Sequence, residues 1–115
     1  MRDETSIEKQ LKKVCESCGF SSHKFLSHIK GDPDRIVFTS GRSNLQMFFV
    51  ETKDKDGILS KHQIERIKYW RERHYLVFVL RTKEEIDTWI PKIESLLVQV
   101  ELYQKHKKEL GELLR

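Results

Sequence analysis

Residues 31–53 read GDPDRIVFTSGRSNLQMFFVETK, and this stretch decides the fold. Its first four residues form a turn by composition, because glycine and proline interrupt regular structure. Residues 35–39 are β-branched and aromatic and predict a strand, and residues 40–44 predict a hairpin loop. The strand at 46–53 has apolar residues on both faces, which is typical of a central strand covered on both sides. The stretch therefore predicts an antiparallel hairpin at the centre of a sheet.

The segments on either side of this hairpin alternate between helical and strand patterns. Residues 5–18 and 60–73 repeat apolar residues at the spacing of an amphipathic helix, and in the second helix Ile64, Ile67 and Trp70 are predicted to face inward. Residues 75–80 are continuously apolar, as in a buried strand reached by a crossover. The expected order is a helix at 5–18, a weak strand at 24–27, strands at 35–39 and 46–53, a helix at 60–73, a strand at 75–80 and a helix at 83–90. This order predicts an α/β domain with a small mixed central sheet flanked by helices.

Length and charge set broad limits on the class of protein. The chain has 115 residues, 22 Lys and Arg against 18 Asp and Glu, and a formal charge of +4, which permits a polyanionic partner without establishing one. No apolar run approaches the ~20 residues of a membrane span, and the N-terminal residues are charged. We therefore expect a cytoplasmic protein with no membrane segment.

Cys15 and Cys18 form a Cys-x-x-Cys pair. Zinc ligation requires a second pair or closely spaced histidines, and none follows at a suitable spacing. Both cysteines fall on the apolar stripe of the first helix, so we interpret them as free thiols packed in the core.

The ends of the central hairpin carry a set of residues suited to metal chemistry. Glu51 and Lys53 are two apart on a strand and project from the same face, and Asp34 begins the neighbouring strand. In an antiparallel hairpin, the start of one strand lies beside the end of the other, so Asp34 and Glu51 can converge on one cation. Such oxygen ligands suit Mg²⁺ or Mn²⁺, with the Thr52 carbonyl as a further ligand. Lys53 can position the attacking water and neutralise charge on a phosphate.

Three pieces of sequence together resemble the VRR-NUC (virus-type replication-repair nuclease) family of PD-(D/E)XK nucleases. They are Gly-x-Pro-Asp-Arg-Ile at 31–36, Phe-Val-Glu-Thr-Lys at 49–53 and Leu-Ser-x-x-Gln at 59–63. The resemblance implies a restriction-endonuclease-like fold and a Mg²⁺- or Mn²⁺-dependent endonuclease. Compact stand-alone members resemble Holliday-junction resolvases, often come from phages and act as homodimers, so branched DNA is the expected partner.

The resemblance also implies a role for individual residues. Asp34 and Glu51 would be metal ligands, Lys53 the catalytic lysine, and Gln63 a residue near the metal or the DNA. Glu8 corresponds to an acidic residue that many relatives add to the metal site. Two of these roles have a structural alternative, because Thr5-x-x-Glu8 and Ser60-x-x-Gln63 both match a helix-capping box.

Asp32 departs from the family pattern, since relatives usually carry a small apolar or neutral polar residue there. It would either bind the metal through water or be solvated.

Basic residues near the predicted site are candidates for contact with DNA. Lys24, His28 and Lys30 precede Asp34, and Lys61 opens the helix whose positive dipole end would face the site. Each is also compatible with a solvated surface, as are His62 and the basic cluster at 105–108.

We expect one domain over residues 1–115, with a core at about 5–82 and a helical extension at 83–115. An apolar stripe at 86–103 exceeds what so small a core needs and predicts a dimer interface. The sequence leaves two alternatives open: a non-catalytic DNA-binding or assembly module on the same scaffold, and a nuclease acting on flaps, nicks or duplex.

Overall fold

A computed structural model describes residues 2–41 and 45–95 of the chain. The helices are α1 (Arg2–Ser17), α2 (Lys61–Glu72) and α3 (Lys83–Trp89), the last followed by a 3-10 turn at Ile90–Lys92. The strands are β1 (Ser21–Lys24), β2 (Arg35–Phe38), β3 (Met47–Thr52) and β4 (Val77–Leu80).

The four strands form one sheet in the order β1-β2-β3-β4. β1 pairs with β2 and β2 with β3 in antiparallel fashion, and β4 lies parallel to β3 after the crossover through α2. This arrangement confirms the predicted mixed sheet, and β3 is a central strand. The β2–β3 register pairs Arg35 with Val50, so one further step along the register places Asp34 opposite Glu51.

Two hydrophobic layers cover the two faces of the sheet. On one face α1, α3 and the 3-10 turn pack on the sheet around a fully buried Phe48. On the other face α2 contributes Ile67 and Trp70, which pack around Phe49. Because β3 is apolar on both sides, both layers use it, and its carboxyl end is held rigidly between them.

Helix α1 buries the stripe predicted from its sequence. Ile7, Leu11 and Cys15 are buried, and Cys18 is half-buried against the same cluster. Both cysteines are free thiols, as expected. Helix α1 begins at Arg2, so Thr5 lies inside the helix and the predicted capping box at Thr5 is wrong.

Two further details of the predicted elements are wrong. The first strand covers Ser21–Lys24 rather than 24–27, because only the earlier residues pair with β2. Ile64, predicted to face inward, is 43% exposed, since α2 turns Ile67 and Trp70 towards the sheet instead.

The beginning of the predicted C-terminal stripe belongs to the chain's own core. Ile86, Ile90 and Ile93 are buried among the α1 residues. The rest of the stripe, residues 96–103, lies outside the described residues, as does the basic cluster at 105–108. Within 2–41 and 45–95, no helix combines the length and the apolar character that a membrane crossing requires.

Candidate active site

Asp34 reaches across from the start of β2 to the end of β3. Its Oδ1 accepts a hydrogen bond from the Thr52 backbone N–H at 3.1 Å, and its Oδ2 accepts one from the Thr52 hydroxyl at 2.6 Å. The backbone carbonyl of Asp34 accepts from the Phe25 N–H at 2.9 Å, which ties the residue to the end of β1 as well. Asp34 is therefore fixed in backbone and side chain at the carboxyl end of β3.

Glu51 lies on the α2 face of β3 and is 4% exposed. Its Oε1 accepts a hydrogen bond from Gln63 Nε2 at 3.1 Å. The other end of the same amide caps α2: Gln63 Oε1 accepts from the Ser60 N–H at 2.8 Å, while Ser60 Oγ accepts from the Gln63 N–H at 3.1 Å. The capping box predicted from the sequence is confirmed. It does not exclude a contact with Glu51, because the Gln63 amide oxygen caps the helix while its nitrogen donates to Glu51.

Lys53 follows directly after β3 and is half-buried. Its backbone N–H donates to the Leu80 carbonyl at 3.1 Å, which continues the parallel pairing with β4. The aliphatic stem lies against the next turn: a Cβ added to Gly57 would come within 3.4 Å of Lys53 Cδ. Arg81 closes that turn, since its guanidinium donates to the Gly57 carbonyl and, at 3.4 Å, to the Asp54 carbonyl.

The carboxyl group of Asp34 is influenced both by its burial and by the charge of Glu8 on α1. Burial raises the pKa of Asp34 above its usual value, the hydrogen bonds from Thr52 partly offset this, and the negative charge of Glu8 raises the pKa further. A neighbouring negative charge and burial both make ionisation of a carboxyl group less favourable. A cation bound beside such a group favours the ionised form and offsets this cost.

Asp32 attaches the loop between β1 and β2 to α2 through hydrogen bonds. Its carboxylate, 4% exposed, accepts from Arg66 Nε at 2.6 Å, from Trp70 Nε1 at 3.0 Å and from the Ser27 hydroxyl. The interpretation of Asp32 as a solvated residue is wrong, because its carboxylate is nearly buried. Instead the residue forms a nearly buried ion pair that holds the loop carrying Asp34. Binding of a metal by Asp32 through water stays a prediction.

Gly31 makes the same loop approach the start of α2 closely. Its φ is +92°, and a Cβ at this position would lie 2.4 Å from the His62 carbonyl carbon and oxygen and 2.8 Å from the Gln63 nitrogen. Only glycine fits this position without displacing the helix end. The glycine that precedes Pro-Asp in the sequence therefore sets the distance between the Asp34 loop and the residue that holds Glu51.

The basic residues predicted to contact DNA are all exposed. Lys24 ends β1, His28 and Lys30 lie in the following loop, and Lys61 opens α2. None of them is in the group of hydrogen-bonded residues at the end of β3. No pattern in the sequence indicates the contacts of Arg66, Trp70 and Arg81, because their partners lie 34, 38 and 24–27 residues away along the chain.

The donor set fits a hard divalent cation. Within 2–41 and 45–95, no three His, Cys, Asp or Glu side chains converge as a ready-made metal site. Mg²⁺ does not need such a cage, because it is commonly held by one or two carboxylates with water completing its octahedron. Asp34, Glu51 and the Thr52 carbonyl at one strand end, with Glu8 next to Asp34, suit that kind of binding.

The order of elements is a helix, three antiparallel strands, a second helix and a parallel strand. Together with the Asp, Glu and Lys at the end of the central strand, this order defines a PD-(D/E)XK-type nuclease fold. Known structures that match include one described as a VRR_NUC domain, at 27% sequence identity and a TM-score of 0.68. The match covers 76% of this chain and 94% of that chain. No family model and no curated protein matches. The chain is therefore similar to a VRR-NUC domain in fold and in sequence, and this similarity supports a nuclease domain.

Proposed function

We propose that this protein is a Mg²⁺- or Mn²⁺-dependent endonuclease that hydrolyses DNA phosphodiesters at branched junctions. We further propose that it acts as a homodimer in the cytoplasm. One observation carries the proposal: two carboxylates are oriented at the same strand end, Asp34 by Thr52 and Glu51 by Gln63, with Lys53 next along the chain. The VRR-NUC relationship supports the reaction class.

In this proposal, different residues of the chain have different roles in phosphodiester hydrolysis. Asp34 and Glu51 hold the cation together with the Thr52 carbonyl, and Glu8 adds charge beside Asp34. When bound, the cation supplies positive charge to the phosphate and activates a water for attack.

Lys53, as an ammonium, neutralises the charge that develops on the phosphate oxygens. The water oxygen bonds to phosphorus and gives up one proton to solvent, the ester bond to the leaving oxygen breaks, and that oxygen takes up one proton from solvent.

Orientation of the two carboxylates is the structural requirement of this mechanism. The Thr52 hydroxyl and N–H fix Asp34, and Gln63 Nε2 fixes Glu51, so neither side chain has to be ordered when the cation arrives. Partners that orient metal ligands in this way typically change metal affinity or activity by about 10–100-fold when removed.

Metal binding separates this proposal from a non-catalytic DNA-binding module on the same scaffold. We expect Mn²⁺ titrated into the wild-type protein to bind by calorimetry, and the binding to be lost in Asp34→Asn. Asp56→Asn is the matched control, because Asp56 is an exposed acid in the turn after β3. If wild type and Asp34→Asn gave the same titration, or if wild type bound no Mn²⁺, the non-catalytic module would be the better account.

The homodimer is a separate part of the proposal. A junction resolvase cuts two strands symmetrically, and a two-fold dimer with two sites matches the symmetry of a four-way junction. The sequence predicts this interface for the apolar stripe at 86–103, of which Ile86, Ile90 and Ile93 are used in the chain's own core. Light scattering should give the mass of two chains, and a monomer at working concentration would contradict the proposed homodimer.

A further inference from the structure

Two aliphatic side chains beside the candidate site are almost completely exposed. Leu26, in the loop between β1 and β2, is 86% exposed, and Ile58, in the segment between β3 and α2, is 87% exposed. Ile29, in the first of these loops, is 51% exposed. The first loop leads to Asp34, whose carbonyl accepts from the N–H of Phe25 next to Leu26, and the second loop begins after Lys53. Leu26 and Ile58 thus belong to the two segments that adjoin the candidate site.

The two loops are fixed to the body of the protein. Asp32 binds Arg66 and Trp70, and Gly31 lies directly against the backbone of His62 and Gln63. The second loop is closed by Arg81. Leu26 and Ile58 therefore extend from anchored backbone, and their exposure is a property of the fold.

The surface around these side chains is basic. In residues 24–34 and 53–62 the only exposed acid is Asp56. The exposed basic residues and histidines in the same segments are Lys24, His28, Lys30, Lys55, Lys61 and His62. Aliphatic side chains set among positive charges suit a ligand that is both polyanionic and apolar, and DNA with unstacked bases has both properties.

We propose that Leu26 and Ile58 contact the faces of unstacked bases next to the scissile phosphate and so select branched or frayed DNA over intact duplex. In an intact duplex the base faces are covered by stacking, and an apolar side chain gains contact only where a step is opened. Phosphate contacts from the surrounding lysines hold either kind of DNA, so they give affinity without this selection. The inference rests on the proposed nuclease function and specifies its substrate.

Binding measurements with conservative surface changes test this inference. Fluorescence anisotropy in EDTA gives the Kd of the full chain for a four-way junction and for the matched linear duplex. The variant carries Leu26→Ser and Ile58→Ser, which leave the core intact because both residues are exposed. The control is Trp89→Ser, an exposed apolar residue on α3 in the opposite layer.

We expect the double variant to bind the junction about tenfold more weakly and the duplex within about twofold of wild type. 2-Aminopurine placed at the branch should brighten on binding wild type and much less on binding the double variant. Lys24→Gln with Lys30→Gln should weaken both DNAs alike and reduce the salt dependence of binding.

Three results would overturn the inference: an unchanged preference for the junction in the double variant, an equal loss for junction and duplex, or a dimer that becomes a monomer in the double variant. The last would make this surface an interface between two copies of the chain. A wild-type protein that neither binds nor cuts DNA would instead remove the proposed function itself. Wild-type cleavage with unaltered discrimination in the double variant would remove only the role of Leu26 and Ile58.

Discussion

Gln63 has two functions because its amide has two ends. Oε1 completes the capping box with Ser60, and Nε2 donates to the buried Glu51. The sequence presents these as alternatives, since a Ser-x-x-Gln spacing is sufficient for a cap. Three-dimensional contact is needed to see that the capping geometry leaves the NH₂ group pointing at β3.

Replacing each partner of this capping box separates the two functions. Gln63→Ala and Ser60→Ala each remove part of the cap, so we expect both to lower the free energy of unfolding by about 1 kcal/mol. Only Gln63→Ala also removes a hydrogen bond from Glu51, and nuclease activity should fall about 10–100-fold in that variant alone. Urea unfolding and cleavage rates measure the two effects. Equal loss of activity in both variants would show that Gln63 acts only through the helix end.

Gly31 sets the spacing between the Asp34 loop and α2, and its replacement should be costly. Gly31→Ala places a Cβ against the His62 backbone in a left-handed conformation, and we expect a loss of about 3 kcal/mol in the free energy of unfolding. Gly41→Ala is the matched control, because Gly41 also has a positive φ, +78°, but no atom of the residues that the structure describes lies within 4 Å of its Cβ position. Similar losses for the two variants by urea unfolding would contradict the close approach.

At the scale of elements, the ion pair between Asp32 and Arg66 joins the β1–β2 loop to α2. Burial by itself raises the pKa of Asp32, but the hydrogen bonds from Ser27, Arg66 and Trp70 outweigh it, and the pKa is lowered below its usual value. The folded state therefore favours the ionised carboxylate. Its contribution to stability is present above the unfolded pKa near 4 and is lost as the pH falls through the lowered, folded value.

Asp32→Asn tests this coupling between the loop and the helix. The variant should lose about 2 kcal/mol of unfolding free energy at neutral pH, because a charge-assisted hydrogen bond becomes a neutral one. As the pH falls from about 5 through the folded pKa of Asp32, the free energy of unfolding of the variant should also decrease less than that of wild type. Parallel acid titrations of the two proteins, followed by circular dichroism, measure the difference. Identical acid profiles would show that Asp32 contributes nothing to the attachment.

Helix α1 gives a second prediction at the scale of elements. Burial, together with the charge of Cys18, raises the pKa of the Cys15 thiol from 9.0 to about 12. The neutral thiol is favoured in the fold, so this contribution to stability is present below pH 9 and declines as the pH rises towards 12. At pH 8, iodoacetamide should modify the half-buried Cys18 first, with Cys15 protected until the protein unfolds. Mass spectrometry of the labelled peptides measures this order, and simultaneous labelling would contradict the packing of α1.

At the scale of the whole molecule, most of the architecture could be predicted from the sequence. Strand β3 is apolar on both faces and α1 has a clear stripe, so the central strand and the packing helix follow from periodicity alone. The position of β1 does not follow, because its residues, Ser21–Lys24, are mostly polar and exposed and become a strand only by pairing with β2. The helical period places Ile64 on the apolar face of α2, but it does not show that the sheet covers only the part of this face with Ile67 and Trp70.

The candidate site could be predicted in part for a related reason. Asp34, Glu51 and Lys53 follow from strand spacing and hairpin register, both of which are local. The contacts of Arg66, Trp70 and Arg81 join residues far apart in the sequence, and no local pattern indicates them. The positions of the candidate site residues are thus encoded locally, whereas the contacts that support them depend on tertiary packing.

The central claim is that the strand-end carboxylates perform metal-dependent cleavage of branched DNA. Its most direct test is cleavage of a labelled four-way junction beside the matched linear duplex, with Mg²⁺, Mn²⁺ or EDTA, by wild type and Glu51→Ala. We predict paired symmetric cuts in the junction that require the metal and are absent in the variant. Cleavage by Glu51→Ala at the wild-type rate, or cleavage by wild type that persists in EDTA, would contradict the claim.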